Sequence, residues 1–114
     1  MVSFPQSEPR AMRILEVTHV QNPTVGWARR NGVIAIKLQG MGNRSMPDYL
    51  FLLPGGRAFM IEFKAPGKAP SPLQWLTIQK LIDQGFDVEV HDTKQSAIAA
   101  LRERLTNAGR ACQT

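Results

Sequence analysis

The sequence predicts an α/β fold in which one mixed four-stranded sheet is flanked by helices. Runs rich in β-branched and aromatic residues alternate with segments of helical periodicity, and Pro and Gly residues separate them. The resulting order is helix, three strands, helix, strand and a C-terminal helix. With 114 residues the chain suits one domain with one core and is too short for two.

The first helix is predicted over residues 23–31, with Asn22 as its N-cap, a proline at its first position and Gly32 just past its end. The preceding segment, residues 13–20, contains β-branched residues and is compatible with a strand or with an added helical turn. Residues 1–12 are predicted to form a loose leader. The single domain therefore begins near residue 13.

The three following strands are predicted over residues 33–38, 48–53 and 57–64. A Gly-rich loop separates the first two, and the tripeptide PGG joins the second and third as a hairpin. The remaining predicted elements are a helix over residues 72–84 with Ser71 as N-cap, a strand over 86–91, a helix capped by Asp92 or Thr93 that reaches residue 107, and a tail over 108–114. The domain thus spans residues 13–107.

The composition limits the classes of partner. Fourteen Lys and Arg residues against nine Asp and Glu give a formal charge of +5, which favours anionic partners and nucleic acid above all. A merely basic globular protein is the alternative. The single cysteine, Cys112, excludes an intrachain disulfide and a Cys-based zinc site, so a metal would need oxygen ligands. No signal-peptide or membrane-span pattern is found, so we expect a cytoplasmic protein with no membrane partner.

Three charged residues lie inside the otherwise apolar hairpin. Because side chains alternate along a strand, Glu62 and Lys64 share one face. Asp48 joins that face if PGG forms a three-residue loop, since this register sets Asp48 opposite Glu62; a two-residue loop would set it against Phe63. A three-residue loop with glycine in the left-handed region is a common hairpin class. The three charges therefore converge in one plausible register.

A carboxylate pair on adjacent strands is suited to a divalent cation. Two opposed carboxylates repel each other unless a cation lies between them, and Mg²⁺ commonly takes one or two carboxylates with water and phosphate oxygens. Lys64 on the same face would stabilise a developing oxyanion or orient an attacking water. In the alternative, Asp48 merely starts a strand after Pro47, and Glu62 and Lys64 are a solvated pair. The combination of all three favours a site.

The sequence PD at residues 47–48, followed after a hairpin by IEFK, resembles the PD-(D/E)XK nuclease signature, and the element order is similar to the restriction-endonuclease-like core. The longer stretch PDYLFLLPGGRAFMIEFKAPGKAPSPLQ, with GFDVEV after the next helix, resembles the VRR-NUC subfamily over about residues 25–105. The resemblance implies a nuclease that uses Mg²⁺ or Mn²⁺ and acts on DNA, often branched. Small phage-type members resemble Holliday-junction resolvases, act as homodimers and would work in the host cell.

The resemblance also implies roles for individual residues. Asp48 and Glu62 would be metal ligands with the backbone carbonyl of Phe63 as a third, Lys64 would be the catalytic lysine, and Gln74 matches the glutamine of the family near the site. Gln74 also fits a capping box with Ser71, and the two roles can coexist.

Two departures from the family pattern concern the shape of the site. Met46 stands where members usually carry glycine, and the glutamate of the first helix has no counterpart in the expected register. Either Glu16 serves as that metal ligand through a longer or bent helix, or His19 or Gln21 replaces it, or the site lacks this ligand.

The candidate DNA-contacting residues are Arg29, Arg30, Lys37, Arg44 and Lys68, each of which is otherwise a solvated surface charge. No segment reads as a base-recognition helix, so DNA structure rather than DNA sequence is the expected target. Trp27 and Trp75 are expected to pack helices onto the sheet.

Other functions are compatible with the same residues. A DNA-binding module with a degenerate site would bind DNA without cutting it, and a scaffold protein would do neither. Within the enzyme class, the activity could be that of a nickase, a flap nuclease or an exonuclease.

Overall fold

The computed structural model describes residues 10–38 and 45–111, with side chains as far as residue 107. The elements are α1 (Arg10–Leu15), a π-helical segment (Glu16–Gln21), α2 (Asn22–Arg30), β1 (Ile34–Lys37), β2 (Tyr49–Leu53), β3 (Arg57–Phe63), α3 (Pro72–Asp83), β4 (Val88–His91) and α4 (Lys94–Ala111). No helix in this described part is both long and apolar enough to cross a membrane.

The four strands form one sheet in the order β1-β2-β3-β4. The first three strands are antiparallel, and β4 runs parallel to β3. A parallel neighbour needs a crossover connection, which α3 supplies. The predicted mixed sheet flanked by helices is therefore confirmed.

The hairpin between β2 and β3 has the register that brings the charged residues together. Leu53 pairs with Arg57, which leaves residues 54–56 as a three-residue loop. Gly55 and Gly56 have φ angles of 88° and 79°, a region that residues with a Cβ rarely adopt. The predicted three-residue loop is confirmed.

The core is divided between the two faces of the sheet. Side chains at odd positions of β2 and β3, including Phe51, Phe59 and Phe63, pack against α2 and α4. On the opposite face Met60 and Val88 pack against Ile78 of α3. Trp27 lies against the first cluster as expected, whereas Trp75 is 48% exposed, so the expectation that it packs α3 onto the sheet is wrong.

The N-terminal helical segment is longer than predicted. Residues 13–20 are helical rather than extended, and the helix includes the last three residues of the predicted leader, residues 10–12. Asn22 does not cap a helix start, because its N–H donates to the Val17 carbonyl five residues earlier. Pro23 cannot donate to the carbonyl four residues before it, and the widened π-helical segment precedes it where an α-helix would be disturbed.

The C-terminal part differs from the prediction only at element ends. The fourth strand begins at Val88 rather than residue 86. The last helix continues to Ala111, through the first residues of the predicted tail. Thr93 is its N-cap, as predicted, since its hydroxyl accepts the N–H of Ser96 at 3.1 Å.

Candidate active site

Asp48 lies at the end of the sheet, immediately before β2, and is 3% exposed. Its backbone carbonyl accepts the N–H of Leu38 at 2.8 Å, and its carboxylate Oδ2 accepts the N–H of Phe63 at 2.8 Å. The residue therefore connects the strands on both sides of β2. Extending the β2–β3 register by one pair sets Asp48 opposite Glu62, as the three-residue loop predicts.

Glu62 is 2% exposed and has two differently placed carboxylate oxygens. Its Oε2 accepts a hydrogen bond from Gln74 Nε2 at 3.0 Å and lies 3.3 Å from the Lys64 ammonium. Its Oε1 is buried and accepts no hydrogen bond from the residues in the described ranges. A buried carboxylate oxygen normally has a partner, so this atom is positioned to bind a ligand.

The electrostatics of the site favour a cation. Burial, and secondly the negative charge of Asp48, raise the pKa of Glu62 to about 8. Lys64 lowers this pKa through its charge and hydrogen bond, and Glu16 raises it further. The ammonium therefore offsets only part of the cost of holding acidic groups together, and a divalent ion would offset more.

Lys64 follows β3 directly and is 7% exposed, on the same side of the strand as Glu62. Its backbone N–H donates to the His91 carbonyl at 2.9 Å, so β4 fixes the position of its main chain. The loop that follows is held as well, because the N–H of Gly67 donates to Asp92 Oδ2 at 2.9 Å. These two contacts could not be predicted from the sequence, because they depend on how β4 pairs with β3.

Gln74 has both of the contacts that its two predicted roles require. Its backbone N–H donates to Ser71 Oγ at 3.2 Å, and its Oε1 accepts the Ser71 N–H at 2.9 Å, which completes the capping box. The other end of the same amide donates to Glu62. One side chain thus connects the start of α3 to the candidate site.

Glu16 is the member of the N-terminal alternatives that lies near Glu62, since its charge contributes to the raised pKa of Glu62. It begins the π-helical segment, whereas His19 is exposed and Gln21 is buried at the end of that segment. The extra residue in a π-helical turn changes the direction of the preceding side chains, and such turns often occur at functional sites.

The donor atoms of the site are oxygens, which suit a hard divalent cation. No group of three or more His, Cys, Asp or Glu side chains within residues 10–38 and 45–111 is arranged to hold a metal ion. Two buried carboxylates, those of Asp48 and Glu62, are the acidic donors at the site, and the resemblance adds the carbonyl of Phe63 as a third donor. One or two carboxylates completed by water and phosphate oxygens are a common environment for Mg²⁺, so the residues fit such an ion.

The predicted DNA-contacting residues lie at two ends of the molecule. Lys37 ends β1 beside the segment that pairs with Asp48, and Lys68 is exposed in the loop after β3. Arg29 and Arg30 end α2 at the opposite end of the sheet, where Arg29 Nη2 donates to the Ala35 carbonyl at 3.2 Å. Arg44 lies outside the described residues.

A mixed sheet with an Asp before one strand and a Glu-X-Lys sequence at the end of the next defines the PD-(D/E)XK class of nucleases. No family model matches the sequence. The chain is 35% identical over 83 residues to "Putative nuclease p44" of Acyrthosiphon pisum secondary endosymbiont phage 1, covering 73% of this chain and 89% of that protein.

A solved structure described as a VRR_NUC domain has the same fold. It superposes with a TM-score of 0.68 at 24% identity, over 76% of this chain and 94% of that chain. The chain therefore belongs to the same nuclease family as the phage relative, and it has the VRR_NUC fold that the resemblance predicts.

Proposed function

We propose that this protein is a deoxyribonuclease that hydrolyses phosphodiester bonds with the help of Mg²⁺ or Mn²⁺. The observation that carries the proposal is the buried cluster of Asp48, Glu62 and Lys64, in which Glu62 Oε1 has no hydrogen-bond donor among the described residues. Membership of a nuclease family supports it. We assign the catalytic domain to residues 13–107 and its action to the cytoplasm.

Each residue of the cluster has a distinct task in this proposal. Asp48, Glu62 and the Phe63 carbonyl would hold the ion, whose chemistry is to lower the pKa of a water and to neutralise charge on the phosphate. Lys64, fixed by its main chain and by Glu62, would contact the scissile phosphate or orient the attacking water. Gln74 would hold the Glu62 carboxylate in one orientation. Glu16 would add negative charge near the Glu62 carboxylate.

We further propose that the substrate is branched DNA and that the enzyme acts as a homodimer. The formal charge of +5 and the lack of a base-recognition helix among the described elements favour recognition of DNA structure. Large apolar side chains are exposed on α3 and on the edge strand β1, and such surfaces often mark protein contacts. They are Leu73, Trp75, Leu76 and Ile82 on α3, and Ile34 and Ile36 on β1.

The activity is tested by incubating the protein with a labelled four-way junction, a flap and a duplex, with Mg²⁺, with Mn²⁺ and with EDTA. We expect metal-dependent cutting that is strongest on a branched substrate. Lys64→Ala and Asp48→Ala should each lower the rate at least about 100-fold, as for loss of a group that acts on the reacting atoms. Arg57→Ala, which removes an exposed cation at the hairpin end of β3, is the control. Cutting that survives both site variants would refute the site.

The oligomeric state is tested by light scattering on the purified protein. A symmetric resolvase needs two active sites to cut two strands, so a mass twice that of the chain is expected. Leu76→Asp should yield the monomer. A wild-type monomer would instead support the flap nuclease, exonuclease or nickase alternatives, and tight DNA binding without cutting would support the DNA-binding module.

A further inference from the structure

A cleft lies beside the candidate active site, and nothing in the proposed chemistry uses it. Its volume is about 410 Å³, and three segments that are distant in sequence form its walls. The π-helical segment and the start of α2 form one wall, the loop after β3 a second, and the start of α4 a third. The lining residues include Thr18, His19, Pro23, Pro66, Lys94 and Gln95.

The position of the cleft relates it to the DNA substrate. Pro66 is two residues from Lys64, and Thr18 is two residues from Glu16, so two of its walls are formed by segments that also carry residues of the site. A DNA strand whose phosphate reached Lys64 would have a neighbouring nucleotide close to this cleft. The loop wall is fixed there by the hydrogen bond from the Gly67 N–H to Asp92 Oδ2, and Asp92 also lines the cleft.

The chemistry of the lining suits a nucleotide. Pro23 and Pro66 offer apolar ring faces against which a base can pack, and Gln95 and Asp92 offer hydrogen-bonding groups for a base edge. Lys94 and His19 are exposed at the rim, where Lys94 can meet a backbone phosphate. The volume lies in the range of roughly 300–1,000 Å³ that is usual for small-molecule sites.

We propose that this cleft binds one unpaired nucleotide of the DNA substrate. The proposal rests on the proposed nuclease function and specifies how a branched substrate is recognised. Removing a base from a duplex requires it to be unpaired and unstacked, and the cost is least when the base is already unpaired. The cleft therefore selects branch points, flaps or bulges that present such a base.

The test uses the Lys64→Ala protein, so that DNA is bound and not cut. The probe is a duplex with one unpaired 2-aminopurine, a fluorescent base that is quenched by stacking, and its reference is the same duplex fully paired. We expect tighter binding of the bulged duplex and a rise in emission on binding, because His19 is the only aromatic ring among the described residues that line the cleft and could quench the base.

Gln95→Trp is the variant that fills the cleft. In the Lys64→Ala background it should abolish the rise in emission and lower the preference for the bulged duplex at least about 5-fold, since the base must then remain in the helix. Thr106→Trp is the matched control: it is exposed on the same helix, eleven residues and about 16 Å along the axis, on nearly the same side. It should keep both signals.

A second variant guards against a folding defect in the first. Lys94→Ala should weaken binding of the bulged duplex by about 3- to 10-fold, through loss of a phosphate contact. If neither Gln95→Trp nor Lys94→Ala changes the preference or the emission, the cleft proposal is overturned.

The outcome for the cleft is separable from that for the nuclease. If the Gln95→Trp variant with Lys64 intact cuts branched DNA as well as the wild type does, the cleft proposal is overturned and the nuclease proposal is unaffected. If binding of the bulged duplex depends on Gln95 but the wild type shows no metal-dependent cutting, the nuclease proposal is overturned and the cleft proposal is supported. Protein that binds no DNA overturns both.

Discussion

Glu62 is the residue of the site that other side chains contact. One of its oxygens receives Gln74 and Lys64, and the other is buried without a donor in the described part of the chain. Because its pKa is raised to about 8, chiefly by burial and then by Asp48, the metal-free protein holds a proton here at neutral pH. Binding of a cation then requires the proton to leave.

The first prediction concerns the pH dependence of metal binding. Below about pH 8 one proton leaves Glu62 for each ion bound, so the affinity for Mn²⁺ should rise about tenfold per pH unit and level off above pH 8. Calorimetry in buffers of different ionisation enthalpy measures both the Mn²⁺ affinity and the number of protons released. An affinity that is constant between pH 6 and pH 7.5 contradicts the assignment.

The same shift has a consequence for stability with a definite sign. A carboxyl whose pKa is higher in the folded state stabilises that state most fully below its ordinary pKa, and the contribution is lost as pH rises through the folded value. The free energy of unfolding contributed by Glu62 should therefore fall between pH 4.5 and about 8 without metal. Added Mn²⁺ should oppose the fall.

The second prediction separates Glu16 from the rest of the cluster. The charge of Glu16 raises the pKa of Glu62, so Glu16→Gln should lower that pKa in the metal-free protein. Carbon-detected NMR titration of the side-chain carboxyls measures the shift. Glu103→Gln removes an equal charge from an exposed position on α4 and should leave the value unchanged. An unchanged pKa in Glu16→Gln would place Glu16 away from the site.

At the scale of elements, the N-terminus of α3 positions the side-chain amide of Gln74 in the site. Ser71 and Gln74 satisfy each other's backbone N–H groups, and the same Gln74 amide donates to Glu62. The cap therefore sets the orientation of Gln74, because its oxygen is used by Ser71 and its nitrogen is left to face the carboxylate. Helix capping and site geometry depend on one rotamer.

The third prediction tests whether these two functions can be separated. Ser71→Ala removes half of the cap and should destabilise the protein by about 0.5–2 kcal/mol with little change in Mn²⁺ affinity. Gln74→Ala removes the other half and also the contact with Glu62, so it should lower both quantities. Urea unfolding and calorimetry measure them. Equal effects of both variants on affinity would show that Gln74 acts only through the cap.

The elements differ in how far the sequence alone predicts them. The hairpin and its register were predictable because PGG limits the loop conformations and the strand alternation fixes the faces, so Asp48, Glu62 and Lys64 were found together. The π-helical segment was not, because local capping preferences favour a helix start at Asn22. The cost of a proline inside the helix is accommodated by the wider turn before it, which packs against β3.

Tertiary pairing decided the remaining differences. Whether Trp75 faced the sheet could not be read from helical periodicity alone, since α3 has apolar residues on more than one side and buries Ile78. Likewise the contact of the Lys64 main chain with His91 requires β4 to be parallel to β3. Such contacts join residues far apart in sequence, where local propensity carries no information.

For the whole molecule, the distribution of positive charge matters more than its total. Lys37 and Lys68 lie at the end of the sheet that carries Asp48, whereas Arg29 and Arg30 lie at the other end. A DNA strand centred on Glu62 would meet the first pair. The second pair would contact DNA only if the duplex extended along the full sheet.

The fourth prediction follows from this arrangement. Each phosphate contact contributes about 0.9 to the slope of log affinity against log salt concentration. Lys37→Ala and Lys68→Ala, in Lys64→Ala protein with EDTA, should each lower the magnitude of that slope by nearly one unit. Arg30→Ala is the matched loss of an exposed cation and should leave the slope unchanged. Equal slopes for all three would place the duplex elsewhere.

The hydrogen bond from the Phe63 N–H to the Asp48 carboxylate makes this amide a natural spectroscopic reporter. An amide proton that faces an ionised carboxylate is deshielded, and its exchange with solvent is slow while the bond persists. The amide nitrogen and the carbonyl proposed as a metal ligand both belong to Phe63. Binding of a metal ion therefore changes the electric field around this residue. A single cross-peak in a ¹⁵N-labelled sample can then follow the site's occupancy without substrate, fluorophore or mutation.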